Sequence, residues 1–341
     1  MHKTPPVRWG IIGAGDISHR VMAPAMRATD CSELVAVMRT TQAGAEEFAR
    51  EHGARSAYDN VEALVRDPEV EAVYVSTPVD RHCPNTLAAA AHGKHVLCEK
   101  PLALSVAEGE AMRQACRAAG VTFMTCYYQR FSARHSKSKE IIQRGGIGRV
   151  TAVRWNFSGR YPSGREIWQH DPGRAGGGPF TDLGTHGVDL MRFLVGEIVA
   201  VAAFVDTLVE SYAVEDTASA LLKFANGAQG VATAHWSTGD PDEHRNSYIE
   251  ILGTDGVILS SPLHDKFSRG RLVVATEDGE TSYDFDQSTH ALVLEEFAAA
   301  LADGREPSIT IEDGIRAQQI VEAVYESGRT GRIVELPVPP E

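Results

Sequence analysis

Three things are scarce in this 341-residue chain: cysteine, positive charge and long apolar runs. Its five cysteines, at positions 31, 83, 98, 116 and 126, are odd in number and lack both disulfide-framework and metal-ligand spacing. That usage excludes a disulfide scaffold and fits a reduced cytosolic enzyme with no metal site. Lysine and arginine number 33 against 46 acids, giving a net charge of −13. A surface of that sign repels phosphate backbones and anionic lipid, so neither nucleic acid nor a membrane is an expected partner. No run reaches the roughly 18 apolar residues of a membrane span, and no apolar signal region precedes the first strand-like run. The expected location is the cytoplasm.

What is present is an ordinary globular composition, 43% hydrophobic without low-complexity tracts, so large cores are possible. The length exceeds that of one usual core and argues for about two domains. Val7–Ile12 reads as a short strand leading into Gly13-Ala14-Gly15-Asp16-Ile17-Ser18 and then a helix to about Ala28. In that context the first glycine permits a tight turn. The second lets backbone N–H groups approach a pyrophosphate at the helix start. Ser18 stands where glycine or alanine is usual, and Pro24 is expected to kink the helix.

Strand Glu33–Met38 follows, and where an NAD enzyme commonly carries an acid this chain has Arg39-Thr40-Thr41. A cation and hydroxyls suit a 2′-phosphate, which favours NADP(H); an arginine stacked on adenine leaves NAD(H) open. Strands and helices keep alternating to Val121–Thr125, so a doubly wound parallel sheet is expected over residues 1–125. Two of its strands end in informative residues. One ends at Ser76-Thr77-Pro78, with His82 close behind, on the side where open α/β sheets bind ligands. The other, His95-Val96-Leu97-Cys98, stops at Glu99-Lys100-Pro101, which puts a lysine at a strand's carboxyl end.

Beyond residue 126 the rhythm changes to β-type runs at Val150–Phe157, Ile198–Val209, Thr217–Phe224, Gly230–Thr238, Ser247–Leu252, Gly256–Ser260, Leu272–Ala275 and Thr281–Phe285. These read as a large, largely meandering antiparallel sheet, closed by helices at Ala291–Leu301 and Ile311–Ser327. Residues 126–341 thus form an expected α+β domain, whose C-terminal helix can pack back on the first. One helix interrupts the strands, from Pro179 to Val195, after Gly176-Gly177-Gly178. On it Asp182, His186 and Asp189 share one face, and an aspartate four residues before a histidine can orient its imidazole for general-base work. The three glycines fit either an anion site or a close backbone approach.

Glu99-Lys100-Pro101, Tyr128-Gln129-Arg130-Phe131 and Asp182-Leu183-Gly184-Thr185-His186 together resemble the Gfo/Idh/MocA oxidoreductase family over nearly the whole chain. The resemblance implies a Rossmann domain followed by a domain with a large open sheet. It also implies hydride transfer between a nicotinamide cofactor and a sugar, cyclitol or related polyol. Carried residue by residue, it implies that Lys100 and His186 are the catalytic pair and Asp182 the histidine's partner. Cofactor contacts are then expected from Gly13, Ala14, Gly15, Asp16, Ile17, Arg39, Thr40, Ser76, Thr77, Pro78, His82, Glu99, Lys100 and Gln129. Substrate contacts are expected from Lys100, Arg130, Trp168, Asp182, Thr185 and His186. Packing through the open sheet as a homodimer or homotetramer is implied as well. Two other readings use the same motifs: a lyase, epimerase or hydrolase that oxidises its substrate transiently, and a non-catalytic cofactor sensor.

Overall fold

The computed structural model describes residues 5–164, 167–238, 247–262, 270–286 and 288–338. The chain forms two compact units, Met1–Tyr128 with His290–Arg316, and Gln129–Thr289 with Ala317–Glu341. A single cut at 125/126 misses the return of 290–316 to the first unit. There Ile311 and Ile315 join a core with Leu102, Met112 and Phe123. Phe297 meets Trp9 with ring centroids 4.9 Å apart.

The first unit is a six-stranded parallel sheet of β1 (Val7–Ile12), β2 (Ser32–Met38), β3 (Ser56–Tyr58), β4 (Ala72–Val75), β5 (His95–Cys98) and β6 (Phe123–Thr125). Its order is β3-β2-β1-β4-β5-β6, the Rossmann arrangement, whose switch point lies between β1 and β4. The central strand β4 is covered on both faces and buried at every position, whereas β1 carries a half-buried Arg8 near its start. The crossovers carry α1 (Ala23–Ala28), α2 (Gln42–His52), α3 (Val61–Arg66), α4 (His82–Ala91) and α5 (Val106–Ala119). Local chemistry sets their starts: Ser105 accepts from the Glu108 N–H at 3.2 Å, and the Glu108 carboxylate accepts from Leu104 N–H at 3.0 Å. Pro24 lies in the first turn of α1. Its ring and missing N–H disrupt the preceding turn, which widens into a π-type turn over Ser18–Met22.

The second unit opens with α6 (Ala133–Gln143) and β7 (Val150–Ser158). After the short α7 (Pro172–Ala175) comes α8 (Thr185–Leu194), entered through a π-type turn at Phe180–Gly184. Strands β8 (Ile198–Asp206), β9 (Thr217–Phe224), β10 (Gln229–His235), β11 (Tyr248–Gly253), β12 (Gly256–Ser261), β13 (Gly270–Thr276), β14 (Gly279–Phe285) and β15 (Val334–Glu335) complete its sheet. Helices α9 (Thr289–Asp303) and α10 (Ile311–Thr330) lie where the apolar pattern put them. The strand order β14-β13-β12-β11-β7-β10-β9-β8-β15 corrects the simple meander. Strand β7 inserts between β10 and β11 and runs parallel to β10. Turn signals report only hairpins between consecutive strands, so this non-local insertion left no local mark.

One face of the sheet is buried, with Trp155 against Gly187 of α8, where an added Cβ would lie 2.5 Å from the indole. The other face is open. Leu221, Val231, Arg154, Glu250 and Leu259 form one cross-strand row on it, from β9 to β12. Phe204 is 81% and Leu221 61% exposed.

Candidate active site

In the first unit the glycine turn is held from both sides. Gly13 and Ala14 each donate an N–H to Met38 O at 3.1 Å. Gly13 has φ +86°, and a Cβ there would lie 2.5 Å from Thr77 Cγ2 and 2.8 Å from Thr77 N. No other residue fits without moving the end of β4. Gly15 differs: an added Cβ meets nothing nearer than Gly13 O at 3.8 Å, so the space above it is open. The helical turn begins at Asp16, which is exposed and pairs with Arg20 at 3.5 Å, while Ile17 is half-buried. Open space over a glycine at a helix start is the cradle a dinucleotide pyrophosphate needs, so these residues fit the cofactor.

Ser18, the departure from the usual motif, is buried; its Oγ meets Ser76 Oγ at 2.7 Å, and Ser76 Oγ donates to Gly13 O at 3.0 Å. The hydroxyl thus ties the turn to the end of β4, which a methyl group would not do. Beside it, Asn85 donates to Thr77 Oγ1 at 3.1 Å. His82 is 1% exposed, with Nε2 2.9 Å from Thr77 O and Nδ1 2.9 Å from Pro101 O. Burial pushes its pKa below the ordinary histidine value. Both ring nitrogens face backbone carbonyls, so His82 braces the loops after β4 and β5, and its ring nitrogens are not presented to a cofactor.

Glu99 is buried in the same way. Tyr74 donates to its Oε1 at 2.5 Å and the Lys100 N–H to its Oε2 at 3.2 Å. Desolvation pushes the Glu99 pKa up, opposed by Tyr74 and by the Lys100 charge. The carboxylate therefore fixes the backbone of Lys100, whose side chain is half-buried at the carboxyl end of β5. Arg39, half-buried just after β2, donates from Nη1 to Gly44 O at 3.4 Å; Thr40 beside it is exposed. Thr41 caps α2 by accepting from Gly44 N–H at 3.3 Å.

In the second unit, Asp182 is half-buried in the π-type turn, and Thr185 and His186 are buried at the start of α8. At either helical pitch, residues four apart stay within about 40° of each other around the axis. The glycines of the motif are steric: a Cβ on Gly184 would come 2.8 Å from the Phe180 ring. Asp189 is 1% exposed and accepts both arms of the Arg130 fork, from Nε at 2.9 Å and Nη2 at 2.5 Å. That pairing ties down Arg130, expected as a substrate contact, and anchors α8 to the segment before α6. Gln129 is 3% exposed, and its side-chain amide has no hydrogen-bond partner among the described residues. Trp168 is half-buried in a single turn, Trp168–His170, before α7.

Two of the three glycines before Pro179 are closely packed, while Gly176, at φ +79°, caps α7. A Cβ on Gly177 would lie 2.1 Å from Tyr325 Oη, and one on Gly178 2.0 Å from Glu215 O. The anion they receive is internal: Glu215 accepts from Gly178 N–H at 2.7 Å, Phe180 N–H at 3.0 Å and Tyr325 O–H at 2.7 Å. Tyr74, Asn85, Glu215 and Tyr325 lie in no recognisable motif. They support the motif residues from positions 8 to 144 residues away along the chain.

A Rossmann sheet whose glycine turn is open above Gly15 is the frame that nicotinamide-dependent oxidoreductases use to hold a dinucleotide. Residues 7–127 match the NAD-binding Rossmann fold of that oxidoreductase family, and residues 135–259 match the Gfo/Idh/MocA C-terminal domain. The chain is 32% identical to 1,5-anhydro-D-fructose reductase of Ensifer adhaerens, over 96% of this chain and 98% of that one. It is 31% identical to D-xylose 1-dehydrogenase (NADP(+)) 2 of Haloferax volcanii, over 96% and 99%. Among solved structures, aldose-aldose oxidoreductase from Caulobacter crescentus, complexed with glycerol, superposes with a TM-score of 0.90 at 27% identity, covering 97% of this chain and 100% of that one. The chain belongs to the Gfo/Idh/MocA oxidoreductase family and is an NAD(P)-dependent dehydrogenase or reductase. These relatives support net hydride transfer over transient oxidation or cofactor sensing. No helix among the described residues is long and apolar enough to cross a membrane.

Proposed function

We propose that this enzyme transfers hydride between nicotinamide and a hydroxyl or carbonyl carbon of a sugar, cyclitol or related small polyol, with Lys100 and His186 handling the proton. The observation that carries the reading is the support around Lys100: buried Glu99, itself held by Tyr74, fixes the lysine's backbone at the end of β5. A bound nicotinamide nucleotide supplies the hydride acceptor or donor. Gly13 to Ile17, Ser76 to Pro78 and Gln129 are the residues that would hold it. His186, oriented by Asp182, exchanges the hydroxyl proton, and the Lys100 ammonium donates to the same substrate oxygen as charge develops there. Thr185 and Trp168 line the substrate. The names of the relatives support a carbohydrate substrate. The test is absorbance at 340 nm across a panel of aldoses, anhydrosugars and cyclitols, in both directions. Turnover confined to unrelated alcohols would contradict the substrate class.

NADP(H) is the favoured cofactor in this reading. What supports it is the cationic Arg39 at the end of β2, with no acid before Glu46. A charge-assisted contact contributes about 1.5–3 kcal/mol, so Arg39→Asp is expected to raise the KM for NADPH roughly tenfold to hundredfold and to leave that for NADH little changed. An unchanged NADPH to NADH preference would show that Arg39 does not read the 2′-phosphate.

The open sheet face supports a homodimer or homotetramer, because it exposes Phe204, Leu221 and Val231 beside the Arg154–Glu250 ion pair, and exposed apolar side chains grouped on one face mark an association site. Phe204→Asp combined with Leu221→Lys is expected to give monomers in sedimentation velocity. A monomeric parent enzyme would contradict this assembly. The five free thiols fit a reducing compartment, the cytoplasm.

A further inference from the structure

The segment that carries Asp182 and His186 starts on a buried carboxylate. Glu215, 7% exposed, lies just before β9, and its Oε2 accepts from Gly178 N–H at 2.7 Å. Its Oε1 accepts from Phe180 N–H at 3.0 Å and from Tyr325 O–H at 2.7 Å. Tyr325 Oη also meets Thr181 Oγ1 at 2.9 Å, so the chain Thr181–Tyr325–Glu215 encloses the first turn from the side of α10. Glycines at 177 and 178 allow this approach; any side chain there would occupy the positions of Tyr325 Oη and Glu215 O. The first two N–H groups of the segment and the hydroxyl of residue 181 are therefore fixed by one carboxylate and one phenol.

We propose that Glu215, completed by Tyr325, is a positioning residue for the reaction: it sets where the Phe180–Gly184 turn begins, and through it the places of Asp182 and His186. Two physical features support this over a purely structural role. A carboxylate at a helix start opposes the positive end of the helix dipole and satisfies N–H groups that otherwise lack intrahelical partners. A fully buried carboxylate also costs desolvation energy, which raises the Glu215 pKa against its three donors. Its geometric contribution is specific, since one carboxylate fixes two N–H groups and one hydroxyl. Glutamine is its near-isostere, but whichever way its amide lies the N–H₂ faces the Gly178 N–H or the Phe180 N–H, donor against donor, and pushes the turn away.

This inference rests on His186 being catalytic, and the experiment separates the two. Glu215→Gln, Tyr325→Phe and His186→Ala are assayed singly, and Glu215→Gln is combined with His186→Ala. A displacement of about 1 Å costs up to a hundredfold, so Glu215→Gln is expected to lower kcat roughly tenfold to hundredfold and Tyr325→Phe severalfold. The dissociation constant for reduced nicotinamide nucleotide, read by fluorescence titration, stays near that of the parent, and the melting temperature stays well above the assay temperature, so the loss of kcat is not a loss of folded enzyme. Added to His186→Ala, Glu215→Gln is expected to have no further effect on kcat, because the residue it positions is gone. If Glu215→Gln lowers kcat by the same factor in both backgrounds, or kcat follows only a fall in melting temperature, positioning is overturned. If both single variants turn over like the parent while His186→Ala does not, positioning is overturned and the catalytic reading stands. If His186→Ala itself turns over like the parent, the catalytic reading falls and this inference with it.

Discussion

Lys100→Met is expected to lower kcat by roughly a thousandfold and to leave cofactor affinity within a factor of about three. The magnitude follows from removing one proton-transfer or charge-stabilising group from the reacting oxygen, which typically costs a hundredfold to ten-thousandfold. Methionine keeps the length and apolar stem of lysine and removes only the ammonium. The supporting contacts remain, because Glu99 is held by the backbone N–H of residue 100 and by Tyr74, neither of which the substitution touches. Steady-state kinetics and a fluorescence titration with reduced nucleotide check the two halves separately. A kcat within tenfold of the parent would remove Lys100 from the chemistry. A proportionate loss of nucleotide affinity would make it a binding residue instead.

The second large effect is expected at the glycine turn, and it distinguishes two glycines that look alike in the motif. Gly13→Ala places a Cβ at φ +86° and within 2.8 Å of the Thr77 backbone nitrogen. The left-handed conformation alone costs about 1–2 kcal/mol, and the clash with the end of β4 adds to it. Thr77, its partner Asn85 and the His82 brace must then shift together. The expected result is a nucleotide dissociation constant raised at least roughly a hundredfold and a melting temperature lowered by about 5 °C or more. Gly15→Ala is the contrast. Its Cβ meets only Gly13 O at 3.8 Å, so stability is retained while the added methyl occupies space the pyrophosphate needs. Differential scanning fluorimetry without nucleotide separates them: only Gly13→Ala is expected to melt early. Equal melting temperatures for both variants would mean that the Gly13–Thr77 approach is not a constraint on the fold.

Much of this architecture is legible along the chain because its signals are local. Apolar runs that stop at Gly13, Arg39, Ser76 and Glu99 mark strand ends on the ligand side of a parallel sheet. The Ser105 and Glu108 pair marks a helix start, and Thr217–Phe224 is found at the expected bounds. What could not be read is the long-range support of those positions. Ser18 looks like a tolerated departure but is the residue whose hydroxyl holds Ser76. His82 looks like a cofactor contact but faces two carbonyls from different loops. Arg130 is expected to touch substrate and Asp189 only to share a helix face with His186, yet the two pair across 59 positions. Hydrogen bonds between distant segments leave no periodicity, so polar residues without a motif, such as Tyr74, Glu215 and Tyr325, carry no sequence signal of their role. The insertion of β7 between β10 and β11 is hidden for the same reason.

The central claim is that this chain performs hydride transfer on a carbohydrate or polyol with Lys100 and His186 at the reacting oxygen. The most direct measurement is absorbance at 340 nm with NADP(H) and NAD(H) against the sugar and cyclitol panel, run on the parent enzyme, Lys100→Met and His186→Ala side by side. Net change in nicotinamide absorbance with at least one such substrate, lost in both variants while nucleotide still stabilises them against heat, is the result expected. Parent-like turnover in both variants, or a parent enzyme that binds nucleotide but transfers hydride to or from no member of the panel, would contradict the account.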